Sequence, residues 1–298
     1  MELSARIQGF FSVPSHLVIV GRPLPFDLFI NASSVKGRER FVRIFPYGES
    51  LTIEDREALK KKYYQFYISE GHRAEYLTSL CSDPEASVFD RASLLKASAI
   101  HYLDTLFSSN KEFSTEVLNH AVAECHEVVR LLLVTLQGHT VETLQALIAR
   151  LSFHDFYTYD HSVNVSLYVM QLYKLLHPTA KPERIAQAGL AGMLHDLGKI
   201  KIPTQLINHA GKLEGSALEV MRTHPDQGHA LLSSEKVRAP ASVDSSVIRR
   251  AVHEHHENFD GSGYPRKLEG NQIHEISRII AVADFFDAVT TKRSYQDP

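Results

Sequence analysis

The sequence predicts a mainly α protein: an all-α helical bundle in its C-terminal half, preceded by a small α/β domain and a helical connector. Three observations predict this class. Apolar residues recur at helical spacing from about residue 73 onward. Short β-branched and aromatic runs broken by Gly and Pro are confined to the residues before that point. After residue 151 strand patterns are nearly absent. A chain of 298 residues has room for two ordinary domains, and a hydrophobic content of 44% is enough for a sizeable core.

Residues 16–30 (HLVIVGRPLPFDLFI) and 40–46 (RFVRIFP) read as strands, Glu54 to Tyr64 as a helix and residues 65–68 as a further strand, which places the α/β domain at 1–75. Lys60, Lys61 and Lys62 lie on the charged face of that helix and read as solvated surface rather than a phosphate site. Residues 76–150 form the connector. Leu94, Leu95, Ala97, Ile100, His101, Leu103 and Phe107 repeat at helical spacing, as do Val117, Val122, Val128, Val129, Leu132 and Leu136, with Gly138 fitting a helix end. The bundle occupies 151–298, with helices expected at Ser162–Leu176, Glu183–Leu197, Leu218–Arg222, Ser245–His256 and Ile276–Thr290 and a long loop at Asn258–Asn271.

A net charge of −3 gives no global attraction for a nucleic-acid polymer or an acidic membrane, so a small charged ligand has to be held locally. Cys81 and Cys125 are too few and too far apart for a disulfide framework. The N-terminal MELSARIQGFF has no signal-peptide pattern, and the apolar run Val128–Leu136 is interrupted by Arg130 and about half the length a membrane span requires. These features predict a soluble cytoplasmic protein. Histidine is the anomaly: 11 of the 17 fall in residues 151–298, many beside Asp or Glu.

Five segments in that half carry chemistry: YDHSVNV (159–165), MLHDLGKIKIP (193–203), HPDQGHALL (224–232), HEHHENFDGSGYP (253–265) and VADFFDAVTTKRSY (282–295). His195–Asp196 at the end of an apolar helix is costly unless both groups find partners, and a divalent metal is such a partner. His161, His224, His255, His256 and Asp284 add four imidazoles and one carboxylate from separate helices. Helical bundles build dinuclear sites from inward-facing side chains of this kind. Two cations about 3.5–4 Å apart suit phosphodiester hydrolysis, with one shared hydroxide attacking phosphorus. The mixed O/N set favours iron, with manganese as the alternative, over a cysteine-rich structural zinc.

At these residues the sequence resembles the HD-GYP family, a branch of the HD phosphohydrolases. HDLGK (195–199), HPDQGHALL (224–232), HHENFDGSGYP (255–265) and ADFFDAVTTKRSY (283–295) follow the family's segments in order. The resemblance implies an HD-type bundle that hydrolyses cyclic di-GMP to pGpG and on to GMP. It implies His161, His195, Asp196 and Asp284 as ligands of one metal, and Asp196, His224, His255 and His256 as ligands of the other, with Asp196 bridging. It further implies that Lys199 and Arg293 contact phosphate, and that Gly263 and Tyr264 border the substrate. Asp196 and Lys199 are thus the expected catalytic pair.

Three departures from the family accompany the resemblance. Tyr157 stands where some members carry a glutamate for a third metal, so two metals are expected. His209–Ala210 replaces the usual Lys-Pro, and related domains continue with further helices past the position of Pro298. The last two motivate an alternative, a module that binds cyclic di-GMP or partner proteins with little turnover. Residues 1–75 resemble a module that often precedes such domains, which implies a regulatory or interaction role, with a diguanylate cyclase, other signalling proteins or a second copy of the chain as partners.

Overall fold

The computed structural model describes residues 9–33, 35, 38–107, 114–151, 157–209 and 211–291. The chain divides into two compact units, residues 1–94 and 95–298. The fold is mainly α, with one small sheet near the N-terminus.

The first unit runs through strands β1 (Phe10–Pro14), β2 (Leu28–Asn31) and β3 (Phe41–Phe45), helix α1 (Ile53–Lys60), strand β4 (Gln65–Ser69) and helix α2 (Arg73–Cys81). The strands form an antiparallel sheet in the order β1-β4-β2-β3. Period-two alternation buries Phe11, Val13, Leu28, Ile30, Phe66 and Ile68 on one face. Tyr76 of α2 meets that side, with Phe11 and Phe26 each 5.6 Å away between ring centroids. Strand β1 falls outside the predicted strands, and the run 16–30 yields a strand only at its end. Gly21, Pro23 and Pro25 interrupt the ladder before Leu28, because proline lacks the donor a strand needs. Helix α1 starts on a capping box, in which Asp55 N–H donates to Thr52 Oγ1 at 3.0 Å and Thr52 N–H donates to Asp55 Oδ2 at 3.1 Å. Lys60, Lys61 and Lys62 at its end are all exposed.

Helix α3 (Val88–Phe107) begins in the first unit and ends in the second. There follow α4 (Thr115–Thr135), α5 (Val141–Arg150), α6 (Tyr157–Leu176), α7 (Pro182–Leu194), α8 (Thr204–Ile207), α9 (Gly215–Met221), α10 (His224–Leu232), α11 (Ser245–Glu254) and α12 (Glu275–Thr290). Helix α7 is the axis of the bundle. Every residue from Ile185 to Leu194 is buried, and α4, α6, α11 and α12 all pack against it. Small residues set the spacing. A Cβ on Gly189 would lie 2.5 Å from Met170 Cγ, and one on Gly192 would lie 3.1 Å from Val169 Cγ2 on α6. The approach is sealed by Ser166 Oγ donating to the Gly189 carbonyl at 2.7 Å. Cys125 is buried in α4, and burial pushes its thiol up to about 12. Among the described residues no helix is long and apolar enough to cross a membrane.

Candidate metal centre

The expected ligands arrive from the ends and inner faces of different helices. His195 caps the C-terminus of α7, and Asp196 opens the 3-10 turn Leu197–Lys201. Gly198 in that turn presses on the start of α10. A Cβ there would fall 1.8 Å from the His224 carbonyl oxygen and 2.5 Å from Gly228 N, so only glycine permits this approach. The approach sets Asp196 beside His224, the first residue of α10. His255 caps the C-terminus of α11. His161 lies in the first turns of α6, and Asp284 projects from α12.

Two donor groups result. Asp196, His224, His255 and His256 offer ligand atoms within 4.8 Å of one another, as do His161, His195 and Asp284. Asp196 faces both: Oδ1 is 3.3 Å from His224 Nε2, and Oδ2 is 3.3 Å from His195 Nε2. The His195 ring lies between the groups, 5.4 Å from the His161 ring and 5.1 Å from the His255 ring, measured between centroids.

Hydrogen bonds fix the tautomers. Nδ1 of His195, His224 and His255 donates to the carbonyls of Gly192 (2.7 Å), Met221 (2.9 Å) and Val252 (2.8 Å), each three residues back along the chain. A carbonyl only accepts, so Nδ1 carries a proton in each ring and Nε2 points inward. Burial pushes the His224 imidazole down to about 4 and His256 to about 2, and lowers His255 as well. His224 Nε2 and His255 Nε2 therefore present two lone pairs to each other at 3.1 Å, next to Asp196 Oδ1. Lone pairs converging with a carboxylate are the donor set of a bound cation, and the residues present fit one.

The other group is held by charge. His161 Nδ1 donates to Asp287 Oδ2 at 2.7 Å, and His161 Nε2 lies 3.1 Å from Asp284 Oδ1. Burial alone would lower the His161 pKa, but its hydrogen bonds to Asp284 and Asp287 outweigh that and raise it to about 9. A cation at Nε2, whether proton or metal, satisfies the surrounding carboxylates. Burial would raise the Asp196 carboxyl, yet Lys199 holds it well below the usual range. Lys199 Nζ donates to Asp196 Oδ2 at 2.5 Å.

The remaining predicted residues are placed as follows. Tyr264 stacks on His256, 4.8 Å between centroids and 23° between planes, and its N–H donates to the His256 carbonyl at 3.1 Å. Gly263 lies so close to the loop that a Cβ would sit 2.2 Å from Asn258 N. Arg293, Ala210 and the side chain of Tyr157 lie outside the described residues. Buried Glu257 accepts from the N–H groups of Arg266 (2.6 Å) and Leu268 (3.0 Å), so it caps the loop. His253 bonds Asp226 at 2.8 Å and stacks on His229.

The sequence reading assigned no role to three residues here. Asp287, buried behind His161, lies one helical turn after Asp284, and that spacing on an apolar helix is the signal that could have marked it. Arg222 places its guanidinium 5.3 Å from the Tyr264 ring centroid. Lys96 of α3 is fully buried beside Asp160, and only a lysine on an apolar helix face hints at it.

These features define a helical bundle whose core converges imidazoles and carboxylates in two groups that could hold metal ions. Residues 145–298 match the HD domain family. The chain belongs to that family. Over 149 residues it is 37% identical to the cyclic di-GMP phosphodiesterase PA4108 of Pseudomonas aeruginosa, covering 50% of this chain and 34% of that protein. It is 41% identical over 108 residues to the 3'3'-cGAMP-specific phosphodiesterase 2 of Vibrio cholerae, covering 36% of this chain and 20% of that one. It is 41% identical over 115 residues to the cyclic di-GMP phosphodiesterase response regulator RpfG of Xanthomonas campestris pv. campestris, covering 39% and 29%. The chain thus spans about a third or less of these relatives. In fold it is similar to Bd1817, an HDG"Y"P protein from Bdellovibrio bacteriovorus, with a TM-score of 0.56 and 17% identity over 96% of this chain and 90% of that one.

Proposed function

We propose that the bundle hydrolyses a phosphodiester bond of cyclic di-GMP, giving linear pGpG and then GMP, with two divalent cations, iron or alternatively manganese. The observation that carries this reading is Asp196, whose two oxygens each face one donor group at 3.3 Å. His161, His195 and Asp284 would hold one cation; His224, His255 and His256 would hold the other, with Asp196 shared. When bound, such a pair lowers the pKa of water and offsets charge on phosphoryl oxygens. Asp196, kept ionised, is ready to accept both cations. Lys199 holds a point charge at the rim of the site, where it would meet the scissile phosphate as negative charge grows on it. Tyr264, braced by His256, would offer an aromatic face to a guanine or ribose. Relatives named for cyclic di-GMP and for 3'3'-cGAMP support a cyclic dinucleotide as the substrate class. The first unit is read as an accessory element for signalling partners or a second copy of the chain.

The test is metal analysis of the purified protein together with chromatography of products from cyclic di-GMP and 3'3'-cGAMP. Two manganese or iron ions per chain and the appearance of pGpG are expected. Metal uptake with tight dinucleotide binding and no product would make the domain a receptor instead. A chain that takes up no metal would end the proposal.

A further inference from the structure

Lys96 is fully buried on the apolar face of α3, in line with Ala92, Leu95, Ala99, Ile100 and Leu103. Taking an ammonium group out of water is expensive unless close partners compensate it. Two of its partners are on α6: Lys96 Nζ lies 2.6 Å from Asp160 Oδ1 and 2.9 Å from Asn164 Oδ1. Asp160 directly precedes His161, and Asn164 is one turn further along the same helix.

Position gives this pair its consequence. The first turn of a helix lacks intrahelical partners for its N–H groups, so its backbone is the least restrained part. His161 follows directly on that turn in α6, which starts at Tyr157, yet it has to meet two residues of α12, Asp284 at 3.1 Å and Asp287 at 2.7 Å. A small rotation of this turn about the α6 axis would carry the imidazole away from both. The two-point hold of Lys96 on Asp160 and Asn164 fixes that rotation. Lys96 also lies outside residues 145–298, the stretch that matches the family.

We propose that Lys96 is a positioning residue of the metal centre: by clamping the first turns of α6 it sets His161 against Asp284, so the connector helix completes a site otherwise built from the bundle. This inference rests on the two-cation reading. It differs from a purely structural ion pair in what its loss would affect: affinity at one cation site, not stability alone.

The experiment titrates manganese into the chelator-stripped full chain and reads unbound metal by electron paramagnetic resonance, with circular dichroism as the check on folding. Two variants are used, K96M and K96M/D160N. Removing Lys96 alone takes a close cation from buried Asp160 and can unfold the chain; the double variant removes both charges together. The parent is expected to bind two manganese ions. The folded variant is expected to keep one site at the parent's affinity and to bind the second ion 10- to 100-fold more weakly, the usual effect of losing an outer support of a metal ligand. A folded variant that binds both ions with the parent's affinity, its melting temperature alone being changed, would overturn the inference. A parent that binds no manganese would instead defeat the two-cation reading beneath it, and the two failures are told apart by the parent's own titration.

Discussion

The two donor groups contain imidazole rings held in two opposite ways. His224 and His255 donate Nδ1–H to neutral carbonyls three residues back on their own chain, and burial keeps them uncharged. His161 donates to a carboxylate 126 residues away in sequence, and its ring is held toward the charged form. The carbonyl-held rings, His195 among them, are aimed from within their own helix ends. His161 is aimed only if α6 and α12 dock in register. The difference separates what a helix terminus can preorganise alone from what only tertiary packing supplies.

Breaking the residue common to both groups should have the largest effect. Asp196→Asn keeps the shape of the side chain but removes the charge that faces both sites. Hydrolysis of cyclic di-GMP is expected to fall about a thousandfold or more, ~4 kcal/mol of transition-state stabilisation. Metal uptake should fall from two ions to one or none, read by elemental analysis of the same preparation. Full activity in this variant would dissolve the comparison, because the two groups would then not act as one centre.

The approach that sets Asp196 beside His224 can be broken through Gly198. In Gly198→Ala the new methyl would meet the His224 carbonyl at 1.8 Å, so the 3-10 turn and α10 have to part. A loss of about 3 kcal/mol in unfolding free energy is expected from such overpacking, measured by urea denaturation of the metal-free chain. The His161 side is tested through Asp287. Asp287→Asn removes the carboxylate that receives His161 Nδ1–H. One manganese site should weaken 10- to 100-fold, with the other unchanged, in a calorimetric titration.

How much of this was legible in the sequence follows the same division. The seven candidate ligands could be named because each lies in a segment with its own signature, such as His195–Asp196 at a helix end or the His255–His256 pair. Helix α10 was given no bounds, since HPDQGHALL is short and opens on His-Pro, which reads as a break until the proline is seen in the first turn. Strand β1 was missed because five residues, FFSVP, gain their meaning only from pairing with β4, 51 to 59 residues away. Asp287 and Lys96 escaped for one physical reason. Each acts by facing a residue more than 60 positions distant, and periodicity within a single segment does not report a contact between helices.

The smallest effect is the sharpest test of the comparison, because it concerns sign. In the chelated protein, the His161 pKa of about 9 lies above the ordinary value of about 6.5. It therefore contributes stability that is fully present below pH 6.5 and lost as pH rises through 9. His224, at about 4, lies below the ordinary value. The unfolded chain binds that proton more readily, so stability is highest above pH 6.5 and falls as pH drops toward 4. His161→Gln should flatten the alkaline limb of the stability profile, and His224→Gln the acid limb. Each change is at most about 1.4 kcal/mol per pH unit, measured by urea unfolding between pH 4 and 10. Two variants that altered the same limb would mean that the rings share one environment, and the contrast between a carboxylate-held and a carbonyl-held imidazole would fail.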